Sequence, residues 1–146
     1  TRTPAPATET GTPPPLDLDT VQIAQVLGVH GKANGGVYQL SVPRAGAVMM
    51  DSVEVSPAMG VATAINFQAI RATTAAATGD FVLIASEVNP VLRVLRANGI
   101  AVTALHSHML NESPRLFFMH FWGEGDAVKL ARGLRAALDQ MDIKRT

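Results

Sequence analysis

Residues 81–138, FVLIASEVNPVLRVLRANGIAVTALHSHMLNESPRLFFMHFWGEGDAVKLARGLRAAL, decide the predicted fold. The continuous apolar run Phe81–Ala85 is typical of a buried strand. Asn89-Pro90 then supplies an N-cap followed by a proline at the first helical position, and Asn98-Gly99 ends the helix in a left-handed turn. This part of the chain therefore predicts a strand followed by an amphipathic helix.

Two more strands and a second helix complete this half of the chain. Ile100–His108 and Arg115–Trp122 are predicted strands, and Met109–Pro114 is the loop that joins them. Asp126 is the predicted N-cap of a helix over Ala127–Leu138, where apolar residues recur at helical spacing. The order strand, helix, strand, strand, helix predicts a split βαβ-like unit with its helices on one face of the sheet.

The first half of the chain adds a short helix and further strands. Asp17 or Asp19 is the expected cap of a helix that ends at Leu27, and strands are predicted over Val37–Pro43, Ser52–Ser56 and Val61–Ile70. The fold class is therefore α+β, a mainly antiparallel sheet with two amphipathic helices packed on one face. We expect a flexible Pro/Thr-rich arm over residues 1–15, a single α+β domain over 16–140 and a loose C-terminal tail over 141–146.

Composition excludes several classes of function. The chain has 146 residues, of which 47% are hydrophobic and 16% charged, and its twelve Lys and Arg balance its twelve Asp and Glu. A chain without net charge has no overall field to hold a phosphate backbone, so nucleic acid is not an expected partner. No apolar stretch is long enough for a transmembrane segment, and the absence of cysteine excludes disulfides and thiolate ligands.

Three of the four histidines lie within fifteen residues and predict a metal site. His106 and His108 are two residues apart on a predicted strand and therefore share a face, while His120 lies on the returning strand. Three imidazoles from adjacent strands suit a divalent transition metal, with Zn favoured and Cu, Ni or Fe as alternatives. Glu112 in the connecting loop is the candidate fourth ligand or catalytic general base.

The register of this hairpin decides the prediction. Pairing Ala104 with His120 brings all three histidines to one face, whereas pairing His108 with Arg115 sends His120 to the other. In the alternative interpretation, His106 and His108 point to solvent and His120 is a hydrogen-bonded core residue among the aromatics Phe118, Phe121 and Trp122.

Other polar residues in apolar surroundings are candidate supports for this site. Asp80 or Glu87 is expected to orient a liganding histidine, because such rings usually donate their second N–H to a carboxylate. The alternatives are a Gly-Asp turn for Asp80 and a carboxylate near a helix N-terminus for Glu87. Arg115 is a candidate for binding an anionic ligand, or else a surface ion-pair partner.

Several segments resemble the LppY/LpqO family of bacterial exported, lipoprotein-type proteins. They are GVYQLSVPR at 36–44, PAMGVATAINFQ at 57–68, GDFVL at 79–83, EVNP at 87–90 and ALHSHMLNESPRLFFMHFW at 104–122. The resemblance covers about residues 18–139 and implies an exported setting in the cell envelope, the periplasm or outside the cell. It implies no reaction.

Three hypotheses follow from these observations. The first is an exported metal-binding domain that uses His106, His108 and His120, with Glu112 as base if it is a metalloenzyme. The second is a non-catalytic module that binds a small-molecule or envelope ligand through the same histidines and Arg115. The third is a homodimer that buries a low-charge surface and an exposed strand edge.

Overall fold

The computed structural model describes residues 17–145, so the predicted arm over residues 1–15 lies outside the described residues. Within them the chain forms three α-helices and nine strands. The helices are α1 (Thr20–Leu27), α2 (Ala85–Ala97) and α3 (Ala127–Leu138), and a short 3₁₀ turn spans Pro57–Met59. None of these helices has the length and apolar character needed to cross a membrane.

The strands form a six-stranded main sheet and a small three-stranded sheet. In chain order they are β1 (Lys32–Asn34), β2 (Val37–Val42), β3 (Met49–Met50), β4 (Val53–Glu54), β5 (Thr63–Arg71), β6 (Thr74–Leu83), β7 (Ala101–His106), β8 (Glu112–Ser113) and β9 (Phe117–Asp126). The main sheet has the order β1-β2-β5-β6-β9-β7, and the small sheet has the order β4-β3-β8. Every strand pair is antiparallel.

The second half of the chain forms the predicted split βαβ unit. Strand β6 leads through α2 to β7, and β9 lies between the two strands. Because β6 and β7 are each antiparallel to β9, they are parallel to each other. The predicted α+β class with a mainly antiparallel sheet is confirmed.

Capping side chains fix the beginnings of two helices as predicted. The Asp19 carboxylate accepts a hydrogen bond from the backbone N–H of Gln22, and Asp126 does the same for Lys129 at the start of α3. These bonds satisfy backbone donors that have no partner within the helix.

Strand β6 and helix α2 differ most from the prediction. Gly79 and Asp80 lie inside β6 and do not form a turn, since the strand begins at Thr74. Helix α2 begins at Ala85 rather than near Asn89, because the Glu87 carboxylate accepts the N–H of Ile84 and caps the helix one turn earlier. The N-cap signal at Asn89-Pro90 therefore falls inside the helix.

The main core lies between the helices and one face of the sheet. Ile65, Phe67, Phe81 and Phe121 project from the central strands, and the rings of Phe81 and Phe121 are 5.2 Å apart. Leu134 of α3 belongs to the same buried cluster. This arrangement commits alternate residues of β5, β6 and β9 to the core and places their neighbours on the opposite face.

Among residues 17–145, a smaller apolar cluster covers one end of that opposite face. It consists of Val48, Val61, Val82, Leu116 and Phe118, which lie on or beside the small sheet and the ends of β6 and β9. The central rungs of the opposite face carry half-buried and exposed side chains. We call this surface the open face.

The C-terminal segment over residues 141–145 packs on the domain, unlike the loose tail that the sequence predicts. Met141 and Ile143 are buried, and Ile143 forms a β-bridge with Arg44. The N–H of Lys144 also donates to the carbonyl of Pro43. Two apolar side chains at alternate positions give this short segment a buried anchor.

Candidate functional site

The strand register places His106 and His120 on one face, as the metal hypothesis required, but β7 ends at His106, so His108 lies beyond the strand on which it was predicted. Ala104 pairs with His120 and His106 pairs with Phe118, so His106 and His120 are diagonal neighbours on the open face. The ring of His108 stacks on Phe118 with centroids 3.6 Å apart, and the ring of His106 stacks on His108 at 4.8 Å. These two imidazoles thus pack face to face against an aromatic ring.

Both ring nitrogens of His120 have protein partners. Its Nδ1 lies 3.2 Å from Oδ1 of Asp80, and its Nε2 lies 3.1 Å from Oγ1 of Thr78. The structure thus brings together Asp80 and His120, which pair directly across β6 and β9.

The predicted three-histidine metal site is wrong. Within residues 17–145, no group of three or more His, Cys, Asp or Glu residues is arranged to hold a metal ion. The physical reason is that His106 and His108 stack while His120 is committed to Asp80 and Thr78, so no three imidazole nitrogens are left facing one point. The transition-metal cofactor itself is a separate prediction, which this finding does not test.

The hydrogen-bonded series Asp80–His120–Thr78 has the order of acid, base and hydroxyl in a nucleophilic triad, but its hydrogen bonding differs. The Thr78 hydroxyl donates to the carbonyl of Phe121 at 2.9 Å, so its only proton is already placed. Because the Thr78 hydroxyl gives its one proton to Phe121, it does not donate to His120, and the hydrogen bond from nucleophile to base that a triad needs is absent. We therefore interpret this network as a fixed polar surface.

Glu112 and Arg115 lie apart from this network. The Glu112 side chain is fully buried, and neither carboxylate oxygen makes a hydrogen bond within the described residues, although Nη1 of Arg115 lies 3.3 Å from Oε1. The guanidinium of Arg115 donates to the carbonyls of Met109 and Leu110. Arg115 holds the loop, and its side chain is 46% exposed. The alternative prediction, a ligand module that uses Arg115 and the histidines, is not tested by this geometry and stays a prediction.

Glu87 forms a buried ion pair with Arg44, which lies 43 residues earlier in the sequence. Nη1 of Arg44 lies 2.6 Å from Oε1, and the N–H groups of Ile84 and Asp142 also donate to the Glu87 carboxylate. Burial alone raises the pKa of Glu87, but these hydrogen bonds and the charge of Arg44 outweigh it and hold the pKa below its ordinary value. Glu87 joins α2, the end of β2 and the C-terminal segment, and it does not contact a histidine.

The open face presents three rungs of side chains across its central strands. One rung runs Val37–Gln68–Ala76–Glu124, and the next runs Gln39–Asn66–Thr78–Trp122. The third rung runs Ser41–Ala64–Asp80–His120. Because Ala76 and Thr78 on β6 are small, the larger side chains on the neighbouring strands enclose a depression.

This depression is a groove of about 280 Å³ with Trp122 on one side and Ile70 on the other. We call it the Trp122 groove; its lining residues are Val37, Asn66, Phe67, Gln68, Ile70, Ala76, Thr78 and Trp122. Trp122 is 46% exposed and Ile70 is 43% exposed. A large aromatic surface therefore faces solvent beside amide groups.

Hydrogen-bonding groups remain available around the indole. Asn66 uses its Nδ2 on the carbonyl of Thr78, which leaves its Oδ1 free within the described part of the chain. His120 and Glu124 flank Trp122 at two residues on either side along β9, so they lie on the same face. The carboxylates of Asp80 and Glu124 make this surface unfavourable for an anion.

Sequence reasoning missed this groove, although the pattern contained a signal. Trp122 stands next to Phe121 in an apolar run and therefore counted as a core aromatic. The alternation over residues 64–68 already places Asn66 and Gln68 opposite the buried Ile65 and Phe67. The same alternation along β9 places Trp122 opposite the buried Phe121, on the face that carries Asn66 and Gln68.

Fold and site together define a two-layer α+β domain with a polar, aromatic open face. The chain belongs to the family described as Domain of Unknown Function (DUF1259), whose profile matches residues 21–140. Neither the curated proteins nor the solved structures gave a match to this chain. The resemblance to the LppY/LpqO family is not tested by these comparisons and stays a prediction.

Proposed function

We propose that this domain is a non-catalytic binding module that holds a neutral carbohydrate in the Trp122 groove. The observation that carries the proposal is the half-exposed Trp122, the wall of a groove that amide side chains also line. An exposed indole offers a flat apolar platform, and the C–H face of a pyranose ring is its natural complement.

The polar groups around the groove support a polyhydroxylated ligand. Asn66, Gln68 and Thr78 lie beside the platform, and amide groups both donate to and accept from hydroxyls. A phosphorylated or otherwise anionic ligand is disfavoured because Asp80 and Glu124 occupy the same face. The fixed Asp80–His120–Thr78 network gives the neighbouring rung a rigid arrangement before any ligand binds.

Calorimetric titration with a panel of oligosaccharides tests the proposal. Cellohexaose, xylohexaose, mannohexaose and chitohexaose cover different hydroxyl orientations, and at least one is expected to bind. Loss of stacking in Trp122→Ala should weaken that binding by roughly tenfold or more, by analogy with about 1–3 kcal/mol for a base on an aromatic side chain. Trp122→Phe should keep part of the affinity.

Val21→Ala is the matched control, because Val21 is 68% exposed and lies on α1, in the helix layer. It should bind as the parent protein does. The proposal fails if none of the four sugars binds, or if a sugar binds equally well to Trp122→Ala. Thermal unfolding of each variant confirms that lost binding does not reflect lost folding.

The predicted exported setting and the predicted homodimer are separate from this proposal. An exported domain of this kind would meet envelope or extracellular polysaccharides, which is consistent with the proposed ligand class. Both predictions remain open to direct measurement.

A further inference from the structure

A second cavity, of about 400 Å³, lies where the ends of several elements meet. Its walls come from the end of α1, the end of β2, the last turns of α3 and the C-terminal segment, and it shares no lining residue with the Trp122 groove. Its volume is in the range of small-molecule sites, about 300–1,000 Å³. We call it the terminal pocket.

The walls of the terminal pocket are largely apolar. They include Leu27 and Val29 after α1, Val42 and Pro43 at the end of β2, and Ile143 of the C-terminal segment. Leu27, Val42 and Ile143 are buried members of the main core, so the pocket is a recess in that core. An apolar body that entered it would be removed from water.

Three cationic residues also line this recess. They are Arg135, Lys144 and Arg145. Asp139 pairs with two of them, since its Oδ1 lies 3.0 Å from Nε of Arg135 and 4.0 Å from Nη2 of Arg145. The cations outnumber this carboxylate, so the pocket favours an anionic group.

Arg135 is held in place before any ligand binds. Its Nη1 donates to the carbonyl of Leu27 at 2.7 Å. The guanidinium lies against Gly28, where an added Cβ would be only 2.7 Å from Nη1, so the absence of a side chain at Gly28 makes room for it. A guanidinium fixed in this way loses little entropy when it binds an anion.

The C-terminal wall is fixed as well. The N–H of Lys144 donates to Pro43 at 2.9 Å, and Ile143 bridges to Arg44. Asp142 donates its N–H to the buried carboxylate of Glu87. The segment that carries Lys144 and Arg145 is thus tied to both β2 and α2.

We propose that the terminal pocket binds an amphiphilic anion, a single apolar chain that ends in a carboxylate. The apolar walls take the chain, and Arg135 and Lys144 take the head group. A small inorganic anion would leave the apolar walls uncovered, and a neutral alcohol would leave the cations without a counter-charge. The ligand must therefore have both parts.

Titration with decanoate below its micelle concentration, followed by two-dimensional amide NMR, tests this proposal. Shifts are expected at Val29, Ile143 and Lys144. Sodium acetate and decanol serve as head-only and tail-only probes and should each bind at least tenfold more weakly. Lys144→Met and Arg135→Gln should each weaken decanoate binding several-fold, whereas Arg132→Gln, one turn earlier on the exposed side of α3, should not.

Several results would overturn the proposal. They are an absence of decanoate shifts at the pocket, equal affinity for acetate or decanol, and unchanged binding in both Lys144→Met and Arg135→Gln. Phosphatidylglycerol vesicles distinguish a free carboxylate from a membrane surface. Sedimentation with the vesicles but no binding of decanoate would replace the pocket by a peripheral membrane contact. Failure here leaves the Trp122 proposal untouched, because the two sites share no residue.

Discussion

At the residue scale, the Glu87 carboxylate is the most heavily bonded polar group in the described core. It accepts four hydrogen bonds, two from Arg44 and one each from the N–H groups of Ile84 and Asp142. Taking two charges out of water is costly, and here the bonds satisfy both partners. Removing either partner would leave the other charge buried without compensation.

Glu87→Gln is therefore expected to lower the free energy of unfolding by roughly 3–5 kcal/mol at neutral pH. Because the pKa of Glu87 is lowered on folding, its stabilisation is present above the ordinary value of 4.5 and is lost as the pH falls through the lower folded value. The difference between the parent and Glu87→Gln should accordingly shrink in acid.

Urea denaturation across this pH range measures that difference, with the exposed Glu54→Gln as the matched control. A difference between parent and Glu87→Gln that stays constant into strong acid would show that the charge of Glu87 does not stabilise the fold.

Gly79 allows β5 and β6 to pair closely, because it has no side chain. Gly79 lies in β6 opposite Ile65, and a Cβ built on it would meet the carbonyl oxygen of Ala64 at 1.9 Å. Backbone atoms of a central sheet cannot move aside without breaking the ladder.

Gly79→Ala should therefore destabilise the domain by several kcal/mol, on the order of a severe overpacking substitution. Ala76→Gly is a suitable control on the same strand, because it removes a half-buried methyl group without a clash. Thermal unfolding followed by circular dichroism compares the two. A Gly79→Ala protein that melts with the parent would contradict the close approach of β5 and β6.

At the element scale, Asp126 is the last residue of β9 and the N-cap of α3. It accepts the N–H of Lys129 at 2.9 Å, and the helix then packs Leu130 and Leu134 into the core. Asp126→Ala should lower the free energy of unfolding by about 1 kcal/mol, the usual contribution of an N-cap. Asp17→Ala, an exposed aspartate before α1, should change it by less. Equal effects in chemical denaturation would argue against the cap.

Elements marked by local chemistry were the ones that the sequence predicted well. The cap Asp126 correctly predicts the start of α3, and the cap Asp19 correctly predicts the start of α1. The helical spacing of apolar residues supports α3 as well, at Val128, Ala131, Leu134 and Leu138. The start of α2 was missed because Asn89-Pro90 is a strong local signal, whereas the cap at Glu87 depends on Arg44 and Asp142, which are distant in sequence. Tertiary contacts override a local preference here.

The candidate site shows the same division. The pairing of Ala104 with His120, one of the two registers considered, correctly predicts that His106 and His120 share a face, whereas His108 lies beyond the end of the strand on which it was predicted. The contacts of each imidazole depend on its neighbours. Phe118 stacks against the face of the His108 ring, whereas Asp80 contacts a ring nitrogen of His120. A strand pattern specifies faces but not these contacts.

At the scale of the whole molecule, the described residues place helices on one face of the sheet and the small sheet on one end of the other face. The main core occupies the first face, and the small sheet covers the end of the second around Val82 and Phe118. The Trp122 groove lies at the centre of that second face. The terminal pocket lies where the ends of α1, β2 and α3 meet the C-terminal segment. The two cavities share no lining residue and differ in chemistry.

The most direct test of the central claim uses the fluorescence of Trp122, which is the only tryptophan in the chain. An oligosaccharide stacked on the indole should shift its emission to shorter wavelength and protect it from quenching by acrylamide, with a midpoint equal to the calorimetric one. Unchanged emission and unchanged quenching at sugar concentrations that saturate the calorimetric signal would place the ligand elsewhere and contradict the account.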